Sequence, residues 1–443
     1  MGAASLMIRQ LYSLFMWAAQ PFLRRKLRRR GLAEPGYLDA VEERFGHYTQ
    51  AAESTSDLVW VHAVSLGETR TAGILLAALR ARWPGLRILL THGTATGRAE
   101  GAGLLRAGDV QVWQPWDSQA AVARFFTHFK PRLGLLLETE VWPNTVAGAQ
   151  ARGVPLVLVN ARLSDKSLQQ ALRIARLSRP AYAALAAVYA QSESDAQRLR
   201  ALGAPVQGVF GNLKFDAAPD PAQQALGRQW RQALGRPVLM LASSREGEED
   251  DFLKQITALA LSTRAPTAPE MRADGEPAPA ADFQILIVPR HPQRFDEVQA
   301  LVEKHGLTVS RRSSQADAPA TADVWLGDSL GEMALYYAMS DVALLGGSFE
   351  ALGGQNLIEA AACGCPVIMG PHTFNFAEVA ELAEAAGAAR RVSDMAEAVR
   401  AARAMLSRPS AQQAAAAAGR QFSAQHRGAA ANTVQALAPF LKA

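Results

Sequence analysis

Leu58-Val-Trp-Val-His-Ala-Val-Ser-Leu-Gly-Glu68 is the stretch that decides the fold. Its first five residues are an apolar, β-rich run, Gly67 lies in the turn that follows, and Glu68 stands where a helix begins. The same unit recurs on both sides of it. Further strands are predicted at 86–91, 110–113, 133–137, 155–159 and 187–190, with amphipathic helices such as 71–82, 119–129 and 194–202 between them. A second series follows at 237–241, 284–288, 324–326, 342–345 and 367–369. Repeated βα units with apolar strands predict an α/β chain with two doubly wound parallel sheets. The length of 443 residues agrees, being too great for one ordinary core.

The expected boundaries are an arm over residues 1–32, a first domain over 33–208, a second over 209–425, and a terminal helix over 426–443 packed back on the first domain. The Pro- and Gly-containing stretch 204–221 reads as the hinge, and the Ala- and Pro-rich stretch 262–282 as an exposed insertion without chemistry. Residues 411–443 read as helical.

Composition narrows the function. With 49% apolar and 20% charged residues the chain is a folded one. Its net charge of +5 is unevenly placed: no acidic residue precedes Glu34, whereas Arg9, Arg24, Arg25, Lys26, Arg28, Arg29 and Arg30 are basic. The excess belongs to the arm, which leaves no nucleic-acid face on the body. Cys363 and Cys365 are too few for a disulfide framework, and their spacing fits neither zinc nor redox motifs. Residues 6–23 are largely apolar, interrupted by Arg9 and Pro21, and the basic cluster follows them, the reverse of a secretory signal. The expectation is an N-terminal membrane-anchor helix, spanning or half-inserted, with its basic cluster among anionic headgroups on the cytoplasmic side. Tyr12, Trp17 and Phe22 suit an interfacial depth.

In open α/β sheets ligands sit beyond the carboxyl ends of the strands, and the polar residues gather there. The first domain offers Glu68, then Glu138-Thr-Glu140-Val-Trp-Pro-Asn144, then Asn160-Ala-Arg162-Leu-Ser164. The second offers Val288-Pro289-Arg290-His-Pro292, Asp328-Ser-Leu330-Gly331-Glu332-Met333, and Gly353-Gly354-Gln-Asn356-Leu357-Ile358-Glu359. Arg290 supplies a permanent cation for a phosphate. The glycines let backbone N–H groups approach an anion, with helices expected to begin near Gly331 and Asn356. Glu359 is placed to accept from ribose hydroxyls. No dinucleotide or Walker pattern is present, so one phosphate with one nucleoside is the simpler ligand.

Together with Gly211-Asn-Leu-Lys-Phe-Asp216 and Gly370-Pro-His-Thr-Phe-Asn-Phe-Ala-Glu378, these motifs resemble the 3-deoxy-D-manno-octulosonic acid (Kdo) transferases of lipid A biosynthesis, in order from about residue 10 to 390. The resemblance implies the GT-B fold, two Rossmann-like domains facing across a cleft, the first binding the acceptor and the second CMP-Kdo. It implies inverting transfer of Kdo to the lipid A precursor (tetraacyl-disaccharide 4'-phosphate) with release of CMP, at the cytoplasmic face of the inner membrane, without cofactor or metal. Glu68 matches the family's general base and Glu138 a second carboxylate facing the acceptor, with Glu140 and Arg162 beside it. Pro289, Arg290, Leu330, Gly331, Glu332, Met333, Gly353, Gly354, Asn356, Leu357, Ile358 and Glu359 match the donor-contacting segments. Gln355, Arg245 and the loop at 92–97 depart from the family pattern. A rival transferase acting on another acceptor would lose the clusters at Glu138 and Arg162. A non-catalytic sensor would replace Glu68, and an epimerase would have no use for the arm.

Overall fold

The computed structural model describes residues 3–263, 283–314 and 322–441, and the expected insertion at 262–282 falls outside them beyond Thr263. The chain forms two compact units, Met1–Asp216 with His426–Ala443, and Ala217–Gln425.

The first unit holds strands β1 (Leu58–His62), β2 (Arg87–His92), β3 (Val110–Trp113), β4 (Leu133–Leu137), β5 (Leu156–Ala161), β6 (Ala187–Ala190) and β7 (Val206–Val209), all parallel, in the order β3-β2-β1-β4-β5-β6-β7. Every residue of β1 is buried because both faces of the sheet are covered. Leu58 and Trp60 enter one core with Phe125, Phe126 and Phe129, while Val59 and Val61 enter another with Leu75, Leu76 and Leu79. Each such side chain contributes roughly 1.5–3 kcal/mol of burial. Gly134 of β4 has to be glycine, because a Cβ there would lie 2.8 Å from the Trp60 ring.

The second unit repeats the design with β8 (Val238–Ser244), β9 (Gln284–Pro289), β10 (Val309–Arg311), β11 (Val324–Leu326), β12 (Val342–Leu345), β13 (Val367–Met369) and β14 (Ala389–Arg391) in the order β10-β11-β9-β8-β12-β13-β14. Three strands escaped the sequence pattern: β7, β10 and β14. They are short edge elements, and β7 carries a glycine and β14 two arginines where an apolar run was sought.

The boundary between the units follows Asp216 rather than residue 208. The segment Leu213–Asp216 stays with the first unit because Asn160 Oδ1 accepts from Leu213 N (2.9 Å) and the Asp216 carboxylate accepts from Gly428 N and Ala430 N (both 2.6 Å). Asp216 thereby caps the last helix, Ala429–Leu441, whose Val434, Leu437 and Leu441 join the first unit's core. The C-terminal helical stretch is two helices, Pro409–Gln425 in the second unit and Ala429–Leu441 in the first.

The arm also departs from expectation. It is two helices, α1 (Ala3–Ala18) and α2 (Gln20–Ala33), with Pro21 in the first turn of α2 where a proline is tolerated. Among the described residues no helix is long and apolar enough to cross a membrane, which removes the spanning form of the anchor. Helix α1 packs on helices Ala175–Ala183 and Pro143–Gln150, with Tyr12 bonded to Asp117 and Ser13 Oγ donating to Asn144 Oδ1 (3.1 Å). Helix α2 buries Leu27 and Gly31, and its Arg24 pairs with Glu42 and stacks 3.8 Å from the Phe45 ring centre. Met7, Leu11, Leu14, Phe15, Trp17 and Phe22 remain exposed.

Candidate active site

The loops after β1 and β4 meet where the strand order of the first sheet reverses, the place at which open α/β sheets hold their ligands. Helix α3 (Leu66–Arg82) starts there on a capping box: Ser65 Oγ accepts from Glu68 N (3.3 Å), Glu68 Oε2 accepts from Val64 N (2.9 Å), and Ser65 Oγ donates to Glu68 Oε1 (2.9 Å). Burial pushes the Glu68 carboxyl above its ordinary range; Val64 N–H opposes this, and Glu138 and Glu140 add to it. Burial thus outweighs the helix terminus.

Glu138 is buried at the end of β4, where Arg162 Nε donates to it at 2.6 Å and Lys214 Nζ lies 4.0 Å away. Arg162 is therefore a partner of Glu138 as well as a residue of the rim. Glu138 has φ +58°, Asn160 +51° and Ser243 +53°, left-handed values that are costly for side chains with a Cβ. All three lie at carboxyl ends of strands, and Asn160 and Ser243 coincide with register shifts in β5 and β8. Such strain persists only where the surroundings over-determine it.

Glu140 accepts from Trp142 Nε1 (2.8 Å) and faces His62 Nε2 at 3.9 Å. Burial alone would raise its carboxyl, but His62, Trp142 and Thr139 hold it below the usual range. His62, which carried no role in the sequence reading, is 1% exposed, and its Nδ1 sits 2.9 Å from Thr91 Oγ1. Beside these groups lies a cavity of about 440 Å³, lined by Met16, Leu23, Lys26 and Arg30 of the arm and by Arg44, His62, Val64, Gly93, Thr94, Trp116, Glu140 and Trp142 among others. In the altered loop, His92 is fully buried between Ala63 O and Gln111, and burial takes it down to about 3. It is a neutral packing group.

The second sheet reverses between β8 and β12. Arg290 follows β9 directly, with its backbone N–H on Ser244 O (3.0 Å), and Pro289 is buried within the strand. His291 next to it is held below its ordinary value by burial and then by Arg245 and Arg290, so this rim is cationic. Gly331, Gly353 and Gly354 have φ of +81°, +88° and +74°. A Cβ on Gly353 would strike Asn375, whose side chain closes the loop on Leu352 O (3.0 Å). Helices follow at Met333–Met339 and Ile358–Cys363, and Asn356 Oδ1 caps the second from Ile358 N (3.0 Å).

Leu357 and Ile358 are buried, their side chains in the core. Glu332 is bound by Arg312 (2.8 Å) and Ser329 (2.5 Å), while Leu330 is exposed. Glu359 lies in the first turn of its helix. Glu248, overlooked in the sequence, accepts from Arg245 N (2.9 Å), Gly347 N (2.7 Å) and Phe349 N (3.1 Å), tying the β8 and β12 exits together. The signal available was a carboxylate three residues after the turn, as in the first unit. No group of three or more potential metal ligands occurs among the described residues.

Comparison with known proteins agrees with this division. A family model described as 3-deoxy-D-manno-octulosonic-acid transferase (kdotransferase) matches residues 39–217, and one described as glycosyl transferases group 1 matches residues 306–422. The 3-deoxy-D-manno-octulosonic acid transferase of Bordetella pertussis is 51% identical over 339 residues, covering 75% of this chain and 76% of that protein. That of Haemophilus influenzae is 31% identical over 379 residues and 84% of each chain. A glycosyltransferase crystal structure from Rickettsia africae, 14% identical, covers 88% of this chain and 100% of its own with a TM-score of 0.52, a likeness of fold.

Proposed function

The chain belongs to the Kdo transferases, a family of glycosyltransferases, and from that premise we propose that it moves Kdo from CMP-Kdo to the lipid A precursor, a tetraacyl-disaccharide 4'-phosphate, by an inverting displacement that releases CMP. The observation that carries this reading is the set of three electrostatically coupled carboxylates, Glu68, Glu138 and Glu140, at the reversal point of the first sheet.

Glu68 takes the proton from the attacking sugar hydroxyl as the new bond forms at the anomeric carbon. Its raised affinity for protons makes it a better base than a solvated carboxylate, at the cost of a smaller ionised fraction in acid. Glu138, held by Arg162, orients the acceptor, and Glu140 does so beside the cavity. On the second unit Arg290, the cationic rim around His291 and the glycine-flanked amides at 353–354 bind CMP and stabilise charge on the leaving phosphate. The arm's exposed Met7, Leu11, Leu14, Phe15, Trp17 and Phe22, with its basic residues, bind the anionic cytoplasmic face of the inner membrane peripherally.

The test is incubation of the purified protein with CMP-Kdo and the tetraacyl disaccharide in detergent, followed by mass spectrometry and by NMR of the new anomeric centre. One or more added Kdo groups in inverted configuration are expected. CMP release without lipid product would reject the acceptor, and retained configuration would reject the displacement.

A further inference from the structure

The arm does more than lie on the body, because it closes one side of the 440 Å³ cavity next to Glu140. We infer that Lys26 and Arg30 bind the phosphate of the acceptor lipid, so that the arm is a wall of the acceptor pocket and a determinant of its specificity. This rests on the Kdo-transfer reading above.

The cavity has the form of a built site. His62 is 1% and Arg44 2% exposed, both line it, Arg44 Nε has no hydrogen-bond partner, and His62 Nε2 makes no hydrogen bond but lies 3.9 Å from Glu140 Oε2. Buried polar atoms of this kind are costly unless a ligand or water meets them. Lys26 has no ion pair among the described residues, and Arg30 lies over the Tyr37 ring at 5.3 Å rather than against a carboxylate. Three cations, Lys26, Arg30 and Arg44, therefore line the cavity together with the acidic Asp117 and Glu140, and Met16 and Leu23 add apolar surface. A ligand that matches has an anionic group, a neutral hydroxylated part and hydrocarbon, which is the chemistry of a phosphorylated, acylated sugar.

The experiment measures acceptor saturation in neutral detergent micelles with no phospholipid present, using the phosphorylated disaccharide lipid and its phosphatase-treated counterpart. Lys26→Ala/Arg30→Ala should raise KM for the phosphorylated acceptor about tenfold or more, the scale of a lost charge-assisted contact, leave kcat and the KM for CMP-Kdo unchanged, and abolish discrimination between the two lipids. Lys26→Ala alone should give part of that rise. Arg25→Ala/Arg29→Ala removes equal charge from arm residues that do not line the cavity and should leave the acceptor KM in detergent where it was. An equal rise from both pairs, or a defect of either pair only on anionic vesicles, overturns the inference and returns these cations to lipid headgroups. Dodecyl phosphate, followed by the fluorescence of the lining residues Trp116 and Trp142, separates the two readings. Binding that the Lys26/Arg30 variant loses, in a protein that transfers no Kdo, sinks the proposed reaction and upholds the cavity; normal transfer with an unchanged acceptor KM in that variant sinks the cavity alone.

Discussion

Glu68 and Glu248 occupy corresponding places in the two units: each is a carboxylate in the first turn of the helix that follows the central strand of a doubly wound sheet, Glu68 half-buried and Glu248 buried. Burial raises both above the usual carboxylate range. Their partners differ. Glu68 accepts only from its own loop, at Val64 N and Ser65 Oγ, and faces Glu138 and Glu140. Glu248 accepts from amides of two loops, at Arg245, Gly347 and Phe349, and these amides oppose the effect of burial on it. One architecture thus yields a carboxylate with few donors, the base of the proposed reaction, and a carboxylate that holds a loop. The number and origin of the N–H donors differ between the two, and so does burial, which is nearly complete only for Glu248.

The largest expected effect tests the first half of that contrast. Glu68→Gln should lower kcat by roughly 100-fold or more, the usual scale for a lost general base, with CMP affinity by calorimetry and the melting temperature nearly unchanged. A variant with near-normal turnover would break the contrast at once. Glu248→Ala should do the opposite, costing about 2–4 kcal/mol of stability by leaving buried amides unpaired and weakening CMP binding; thermal melts and calorimetry give both numbers. Arg290→Ala sharpens the picture of the second unit. It should weaken CMP and CMP-Kdo alike by about 2 kcal/mol, whereas unequal losses would place Arg290 on the sugar.

Two smaller effects depend on pH. Because Glu68 is raised, chiefly by burial, the acid limb of kcat/KM should lie at higher pH than an ordinary Glu would set, and activity should be lost as pH falls through it. His92 bears on stability. Burial lowers its folded value to about 3 from 6.5, so between these values the unfolded chain binds the extra proton. Its contribution to stability is therefore whole above 6.5 and lost as pH falls toward 3. Urea titrations of His92→Asn should show lower stability at neutral pH and a flatter slope over that window.

Much of this was legible without coordinates. β1, β3, β4, β6, β11, β12 and β13 lie where the apolar runs predicted them, since a strand covered on both faces leaves a continuous apolar signature. β7, β10 and β14 were invisible because they are only three or four residues long and carry polar residues or a glycine in place of an apolar run. The carboxylates at strand ends were readable because polar residues have no place in buried strands and collect where ligands bind. The partner of each was not. Arg162 with Glu138 and His62 with Glu140 are separated by 24 and 78 positions, and no local pattern ties them.

The arm shows the limit most plainly. Its sequence, apolar run then basic cluster, determined that it is helical and that its charge follows its apolar part. Whether it spans, floats or docks depends on contacts with residues far along the chain. Asp117 and Asn144 meet α1, Glu42 and Phe45 meet α2, and the same docking sets Lys26 and Arg30 beside His62 and Glu140. Local sequence determines strands, helices, caps and strand-end charges because these depend on neighbours within a few residues. Only the tertiary structure decided which carboxylate is tied down by amides of a second loop, because a carboxylate's freedom is set by donors that the fold brings from elsewhere.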